Sequence, residues 1–371
     1  MGTRGVPPRY GGFETFAAEL GTRLVARGHE VFVYCRAQGA GGGAQWNGIH
    51  RIVLPSLGHK YFETVSHTFL SALDALRRGF DAVLLCNAAN AFVLPLLRAA
   101  RIPVAINVDG IERRRRKWNV LGRAVYAVGE TFSAQFASAV VADAEVIAEY
   151  YLERHGIEPA TIPYGSEFPA EADSDVLQRL GLEPRRYILY VSRFEPENNP
   201  LEVVEAYERT AGSEQRAGDL LPAARCPLPP LVMLGDASYA HDLKAELLRH
   251  KSDKVLFPGA LYGADYRTLQ RNALVYIQAT EVGGTHPALI EAMGSGGAVL
   301  ALDTPENREV GGDAVGYFGL RPDSLSGILC EWLADAGPRE ALRERARRRA
   351  AAEYGWDAVT DAYEQLFRKI G

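Results

Sequence analysis

The chain has 371 residues, more than one compact core readily organises, so two domains are the starting expectation. Hydrophobic residues at 47% and charged residues at 23% describe an ordinary soluble globular protein. The formal net charge of −5 argues against a general nucleic-acid binder, because phosphate binding needs a surplus of Lys and Arg.

In chain order, the opening MGTRGVPPRYGGFETF is a glycine-rich loop that runs into a helix with no strand before it. Phe13, Phe16, Leu20 and Leu24 share one face of that helix, and Gly28 supplies its C-terminal signal. Short apolar runs then read as strands: Val31–Cys35, Arg51–Leu54, Ala82–Cys86, Val104–Val108 and Ala139–Ala142, with helices between them. The most apolar stretch, Ala82–Leu97, is interrupted by Asn87, Asn90 and Pro95, so it reads as strand, turn and helix rather than a membrane span. Arg4 and Arg9 precede no apolar core of a signal peptide. The pattern pauses at the acidic stretch FPAEADSD around Pro169 and restarts with strands at Tyr187–Val191, Leu231–Leu234, Val255–Phe257, Leu274–Gln278 and Ala298–Leu302. Alternating helices and nearly continuous apolar strands imply parallel sheets covered on both faces. The expectation is therefore two α/β domains with a hinge near Pro169 and a ligand at the carboxyl ends of the strands, in the cleft between them. Gly39–Gly43 and Ala211–Pro230 read as surface insertions. The cysteines Cys35, Cys86, Cys226 and Cys330 are scattered, form no Cys-x-x-Cys, and read as reduced thiols of a cytoplasmic protein.

The stretch EVGGTHPALIEAM, Glu281–Met293, carries the most chemistry. Gly283 and Gly284 let a ligand approach the backbone, Thr285 suits an N-cap, and Pro287 suits the first helical turn. Exposed amides and the helix dipole would hold an anion there, and a diphosphate uses both. Glu291, one turn on, can accept hydrogen bonds from vicinal sugar hydroxyls; the alternative is a capped helix with a solvated glutamate. Arg193, in RFEPENNP after the second domain's first strand, can pair with phosphate oxygens or else with Glu195 or Glu197. His286 is either a helix-start residue or a sugar contact. The basic run Arg113–Trp118 is either a solvated loop or a contact to anionic lipid or a lipid-diphosphate acceptor.

Together RGVPPRYGGFET, RFEPENN, ATEVGGTHPALIEAM and DTPENREVGGDA resemble the retaining nucleotide-sugar glycosyltransferases of the GT-B fold, glycosyltransferase family 4. They are similar, more narrowly, to a bacterial subgroup that includes rhamnosyltransferases of surface-polysaccharide assembly. The resemblance implies an α/β chain of two Rossmann-like domains. Residues 1–169 would form an acceptor-side domain and 170–354 a nucleotide-sugar-binding domain. Residues 355–371 would form a C-terminal helix that packs back on the first domain. It implies Arg193 on the donor diphosphate, Glu291 on the ribose, and the backbone of Gly284 and Thr285 facing phosphates and sugar. Gly11 and Gly12 would line the cleft from the first domain. Asp109, in NVDG, sits where many relatives place a histidine near the donor sugar. Asn198, Gly283 and His286 complete the implied donor-binding set, and Glu306 and Glu309 lie in a further cleft-side loop. ADAEVIAEYY and IPYG match the family's segment before the hinge.

Two positions depart from the wider family. The first glutamate of its usual pair falls on Gly283, and a lysine expected near position 198 is Asn198. The resemblance implies transfer with retention, no cofactor and no metal, to a glycan or lipid-linked acceptor. The scattered thiols point to the cytoplasmic side, and the basic run is one that peripheral membrane contact through Arg113–Lys117 would use. Two other readings stay open: a non-catalytic sugar-nucleotide binder and a nucleotide-sugar epimerase. Relatives carry an apolar strand before the opening loop, and its loss would forfeit on the order of 10 kcal/mol of burial. The natural chain is therefore expected to start upstream, or this form to fold poorly.

Overall fold

The computed structural model describes residues 1–8, 12–37, 43–58, 62–115, 118–167, 174–220, 228–237, 240–321 and 323–371, with only the backbone for 212–220 and 241. Gly11, Arg116, Lys117, Pro169 and Cys226 lie outside them. The chain forms two units. The first is Met1–Gly165 with Gly283–Thr285 and Tyr354–Gly371; the second is Ser166–Val282 with His286–Glu353.

The first unit runs α1 (Gly12–Ala26), β1 (Phe32–Arg36), β2 (Gln45–Trp46), β3 (Ile49–Leu54), α2 (Glu63–Ala75), β4 (Val83–Cys86), α3 (Leu94–Ala99), β5 (Val104–Asn107), α4 (Val120–Phe136), β6 (Ala139–Ala142), α5 (Glu145–His155) and β7 (Ala160–Thr161). The second runs α6 (Val176–Leu180), β8 (Ile188–Val191), α7 (Pro200–Leu220), β9 (Leu231–Leu234), α8 (His241–Leu247), β10 (Val255–Gly259), α9 (Gly263–Asn272), β11 (Val275–Gln278), α10 (Pro287–Gly294), β12 (Val299–Leu302), α11 (Pro305–Gly311), β13 (Gly316–Phe318), α12 (Ser324–Ala334) and α13 (Ala336–Glu353). The last helix, α14 (Trp356–Ile370), returns to the first unit.

In the second unit the order β10-β9-β8-β11-β12-β13 makes one parallel six-stranded sheet. Every residue of β9, β11 and β12 is buried, as helices on both faces of a parallel sheet require. Its core joins Ile188, Tyr190, Val203, Tyr207, Met233, Ile277, Leu300 and Trp332.

In the first unit the strands fall into two sheets. One is parallel, β4-β5-β6-β7; in the other, β1-β3-β2, β1 runs parallel and β2 antiparallel to β3. Residues 1–4 touch the facing strands of both. The Met1 amino group donates to the Leu84 carbonyl at 2.7 Å, and the Cys86 amide donates to the Met1 carbonyl at 3.0 Å. On the other side the Arg36 amide donates to the Arg4 carbonyl at 3.0 Å. Helix α1 buries Phe16, Leu20 and Leu24 against Trp356, Val359, Tyr363 and Leu366 of α14.

Two features differ from the sequence reading. Strands β2, β7 and β13 are too short for a period-two signal, so they escape it. Residues 211–220 continue α7 instead of beginning an insertion, because Val203, Val204, Tyr207 and Thr210 already fix that helix on the core.

Candidate active site

In the second unit two loops meet at the carboxyl ends of β8 and β11, where a parallel sheet opens its ligand crevice. The Glu281 amide donates to the Glu197 carbonyl at 2.9 Å, and the Asn199 side-chain amide donates to the Ala279 carbonyl at 2.8 Å. Arg193 stands on the first loop with an exposed side chain, 3.8 Å from Glu195. Asn198 is buried, and its Nδ2 donates to the Arg193 carbonyl at 2.7 Å. The hydroxyl of buried Tyr190 donates to the Asn198 carbonyl at 2.7 Å, and burial raises its pKa so that it stays protonated. Asn198 thus shapes the loop that carries Arg193.

The second loop leads into α10. Its N-cap is His286 rather than Thr285, and Pro287 opens the helix. Thr285 is not the cap because its hydroxyl donates to the Asp143 carbonyl at 2.6 Å. Its amide donates to the Asp143 carboxylate at 3.2 Å. A Cβ at Gly284 would collide with that carboxylate and displace it.

Glu291 lies half-buried on α10. The Tyr266 hydroxyl donates to its carboxylate at 2.5 Å, and Gln270 donates to the Tyr266 oxygen at 2.9 Å. Both partners come from α9. His286 is buried, with Nδ1 2.9 Å from Asn307 Oδ1. The Asn307 Nδ2 donates to the carbonyls of Thr280 and Leu302, at 3.2 and 2.9 Å. With that nitrogen committed, Oδ1 faces the imidazole and accepts from Nδ1–H. Tyr266, Gln270, Asn307 and Asp143 were not singled out in the sequence. Only Asn307 carried a local signal, through the capping pattern Thr304-Pro305 before it.

A cavity of about 210 Å³ opens beside the Arg193 loop, walled by Phe194, Phe257, Leu247 and Leu248, with Gly235, Asp236 and Lys244 at its polar side. Lys244 pairs with Asp236 at 2.6 Å.

In the first unit, Asp109 follows β5 with φ +61°, a left-handed backbone that costs a non-glycine residue energy and tends to mark functional turns. The Asn107 side chain holds it, accepting from the Asp109 amide at 3.0 Å and donating to the Tyr363 hydroxyl at 2.9 Å. Gly12 begins α1 and accepts a hydrogen bond from the Tyr164 hydroxyl at 3.0 Å. The basic run is only partly solvated. Arg113 pairs with buried Glu130 at 3.2 Å, and Arg115 is buried against Glu112, while Arg114 is exposed and lies 5.5 Å from the Tyr150 ring centre. Among the described residues no cluster of His, Cys, Asp and Glu is arranged to hold a metal ion, and no helix is long and apolar enough to cross a membrane.

Residues 11–165 match a glycosyl transferase 4-like domain, and residues 175–349 match glycosyl transferases group 1. A search of curated proteins finds no match. Among solved structures, sucrose-phosphate synthase from Thermosynechococcus elongatus superposes with a TM-score of 0.76 at 18% identity, over 97% of this chain and 93% of that one. HepE of Anabaena, solved with UDP-glucose, gives 0.75 at 16% identity over 96% of both chains. The UDP-forming α,α-trehalose-phosphate synthase from Burkholderia vietnamiensis gives 0.72 at 13% identity, over 96% and 97%. At such identities the likeness speaks for the fold.

Proposed function

The chain belongs to the glycosyltransferases of the GT-B type, and from that premise we propose that it moves a hexosyl group, rhamnose in the narrower reading, from a nucleoside-diphosphate sugar to a glycan or lipid-linked glycan with retention of configuration. The observation that carries this is the seam within the second unit that ties the Arg193 loop to Ala279 and Glu281, just after β11. A guanidinium and a helix N-terminus at one sheet edge suit a diphosphate. Glu291, braced by Tyr266, suits vicinal ribose hydroxyls. The UDP-glucose held by HepE is a donor of this chemical class.

In the reaction, the bond from the anomeric carbon to the diphosphate oxygen breaks and a bond to the acceptor hydroxyl oxygen forms on the same face. The departing diphosphate takes the acceptor's proton and leaves as nucleoside diphosphate. Arg193 and the N-terminus of α10 hold the charge that grows on the leaving oxygen, the kind of preorganised stabilisation that lowers such barriers most. Asp109 orients donor or acceptor hydroxyls, and His286 Nε2 accepts from a sugar hydroxyl. No metal takes part, and the setting is the cytoplasmic face of a membrane, met in part through the basic run at Arg113–Lys117.

The test is a screen of uridine, thymidine and guanosine diphosphate sugars by thermal shift, followed by turnover with glycan acceptors. One donor class should stabilise the protein, and Glu291→Ala should abolish the shift. Equal shifts in wild type and variant would remove the ribose role. A second reading, a sugar-nucleotide binder without turnover, is favoured by Gly283 and by the Asn198 amide's commitment to the Arg193 carbonyl. Binding without transfer to any acceptor would select it.

A further inference from the structure

Two helices of the first unit are amphipathic in the inverted sense. Helix α2 turns His67, Thr68 and Ser71 inward, each 0% exposed, while Phe62 at its start and Phe69 on its outer side are 57% and 47% exposed. Val65, Leu73 and Leu76 continue that outer stripe at helical spacing. Helix α4 buries Tyr126, Gly129, Glu130 and Ser133 and shows Val120 and Leu121 to solvent at 85% and 73%, with Val125 and Val128 following. Both helices pack on the same 3-10 segment, Ala88–Val93. Contiguous exposed apolar stripes of this kind mark a place where an apolar medium or partner sits.

The charges say which. Residues 56–138 hold eleven Lys and Arg against six Asp and Glu, in a chain whose net charge is −5. Four of the six acids are already paired: Glu63 with Arg36, Asp74 with Arg78, Glu112 with Arg115 and Glu130 with Arg113. Asp81 and Asp109 lie off both stripes, on the loops before β4 and after β5. Arg77 at the end of α2, Arg114 before α4 and Arg123 on α4 are exposed. A second copy of this surface would set like charges against one another. We propose that α2 and α4 dock the protein on an anionic lipid surface, the two apolar stripes entering the headgroup boundary and the arginines meeting lipid phosphates. This deepens the peripheral-membrane part of the reading above and rests on that part alone. Flotation reports it without donor or acceptor, so failure of the transferase assay and failure here are separate results.

The test is flotation of the full chain with phosphatidylcholine vesicles, with and without phosphatidylglycerol, beside light scattering for oligomeric state. Wild type should float with the anionic vesicles, weakly with neutral ones, and detach as salt is raised. The pairs Phe69→Ser with Leu73→Ser, and Leu121→Ser with Val125→Ser, should each lower vesicle affinity about tenfold or more. Arg114→Glu with Arg123→Glu should do the same. Melting temperatures should hold, since these side chains are exposed; if an apolar pair misfolds, the charge reversal and the wild-type salt series still decide. Wild type that stays unbound, floats equally on neutral vesicles, or forms a dimer that the apolar pairs dissolve without altering flotation overturns the proposal.

Discussion

The Tyr266 hydroxyl donates to the Glu291 carboxylate across 2.5 Å, from α9 to α10, and Gln270 in turn donates to Tyr266. This relay fixes the direction of a carboxylate that otherwise has several rotamers to choose from. A charge-assisted hydrogen bond of this kind contributes about 1.5–3 kcal/mol. Tyr266→Phe should therefore leave the fold intact and raise the donor KM roughly tenfold or more, with a smaller change in kcat. Donor titration calorimetry checks it; unchanged affinity would mean that Glu291 holds its pose, or serves, without Tyr266.

Asn307 ties two strand ends and the start of α10 together, through Thr280, Leu302 and His286. It is fully buried. Asn307→Ala leaves two carbonyls and the imidazole without that partner, each loss costing about 1–3 kcal/mol. A destabilisation of about 3 kcal/mol is expected by chemical denaturation. Asn307→Asp should be no milder, because a carboxylate oxygen would face the same two carbonyls. His286→Ala on the Asn307→Ala background should cost less than on wild type, and additive losses would break the link.

The longer parallel strands of both units, and α1 with its terminal glycine, were legible because continuous apolar runs and a 3.6-residue period are local signals. The brace on Glu291 was not. Tyr266 and Gln270 reach it from another helix, and nothing in the stretch YRTLQ announces that. Nor does a sequence say that the Thr285 hydroxyl will serve Asp143 instead of capping α10. Position and conformation part company at Asp109, whose place after a strand could be read but whose left-handed backbone could not. Helix α2 marks the sharper limit. Periodicity reveals that an apolar stripe exists, yet which side turns inward depends on what else the unit offers to cover it.

Gly235 ends β9 with φ +154°, and a Cβ there would collide with the Ser192 carbonyl oxygen at the base of the Arg193 loop. Both objections are backbone ones, so no rotamer change relieves them. Gly235→Ala should cost about 2–4 kcal/mol of stability and shift the loop that carries Arg193. Thermal melts with and without donor measure it. A variant as stable as wild type would show that the loop moves freely.

His67 sets a pH dependence. It is fully buried on the inner face of α2, and burial together with the nearby Arg36 guanidinium and the Met1 amino group lowers its pKa from 6.5 to about 4. A backbone contact at Cys35 and the Glu63 carboxylate pull the other way, but less. The folded ring is therefore neutral over a range where the unfolded ring is protonated. Between the unfolded value of 6.5 and the folded value of about 4, the unfolded state binds more protons, so stability falls as pH falls. The loss is complete near the lower value and is on the order of 2–3 kcal/mol. Carboxylates add their own slope at the acid end, so the comparison is with His67→Gln, which keeps a polar side chain but does not titrate. Urea denaturation at stepped pH should show wild type losing stability relative to the variant from about pH 6.5 downward. Parallel curves for the two proteins would mean that His67 takes its proton in the folded state as readily as in the unfolded one.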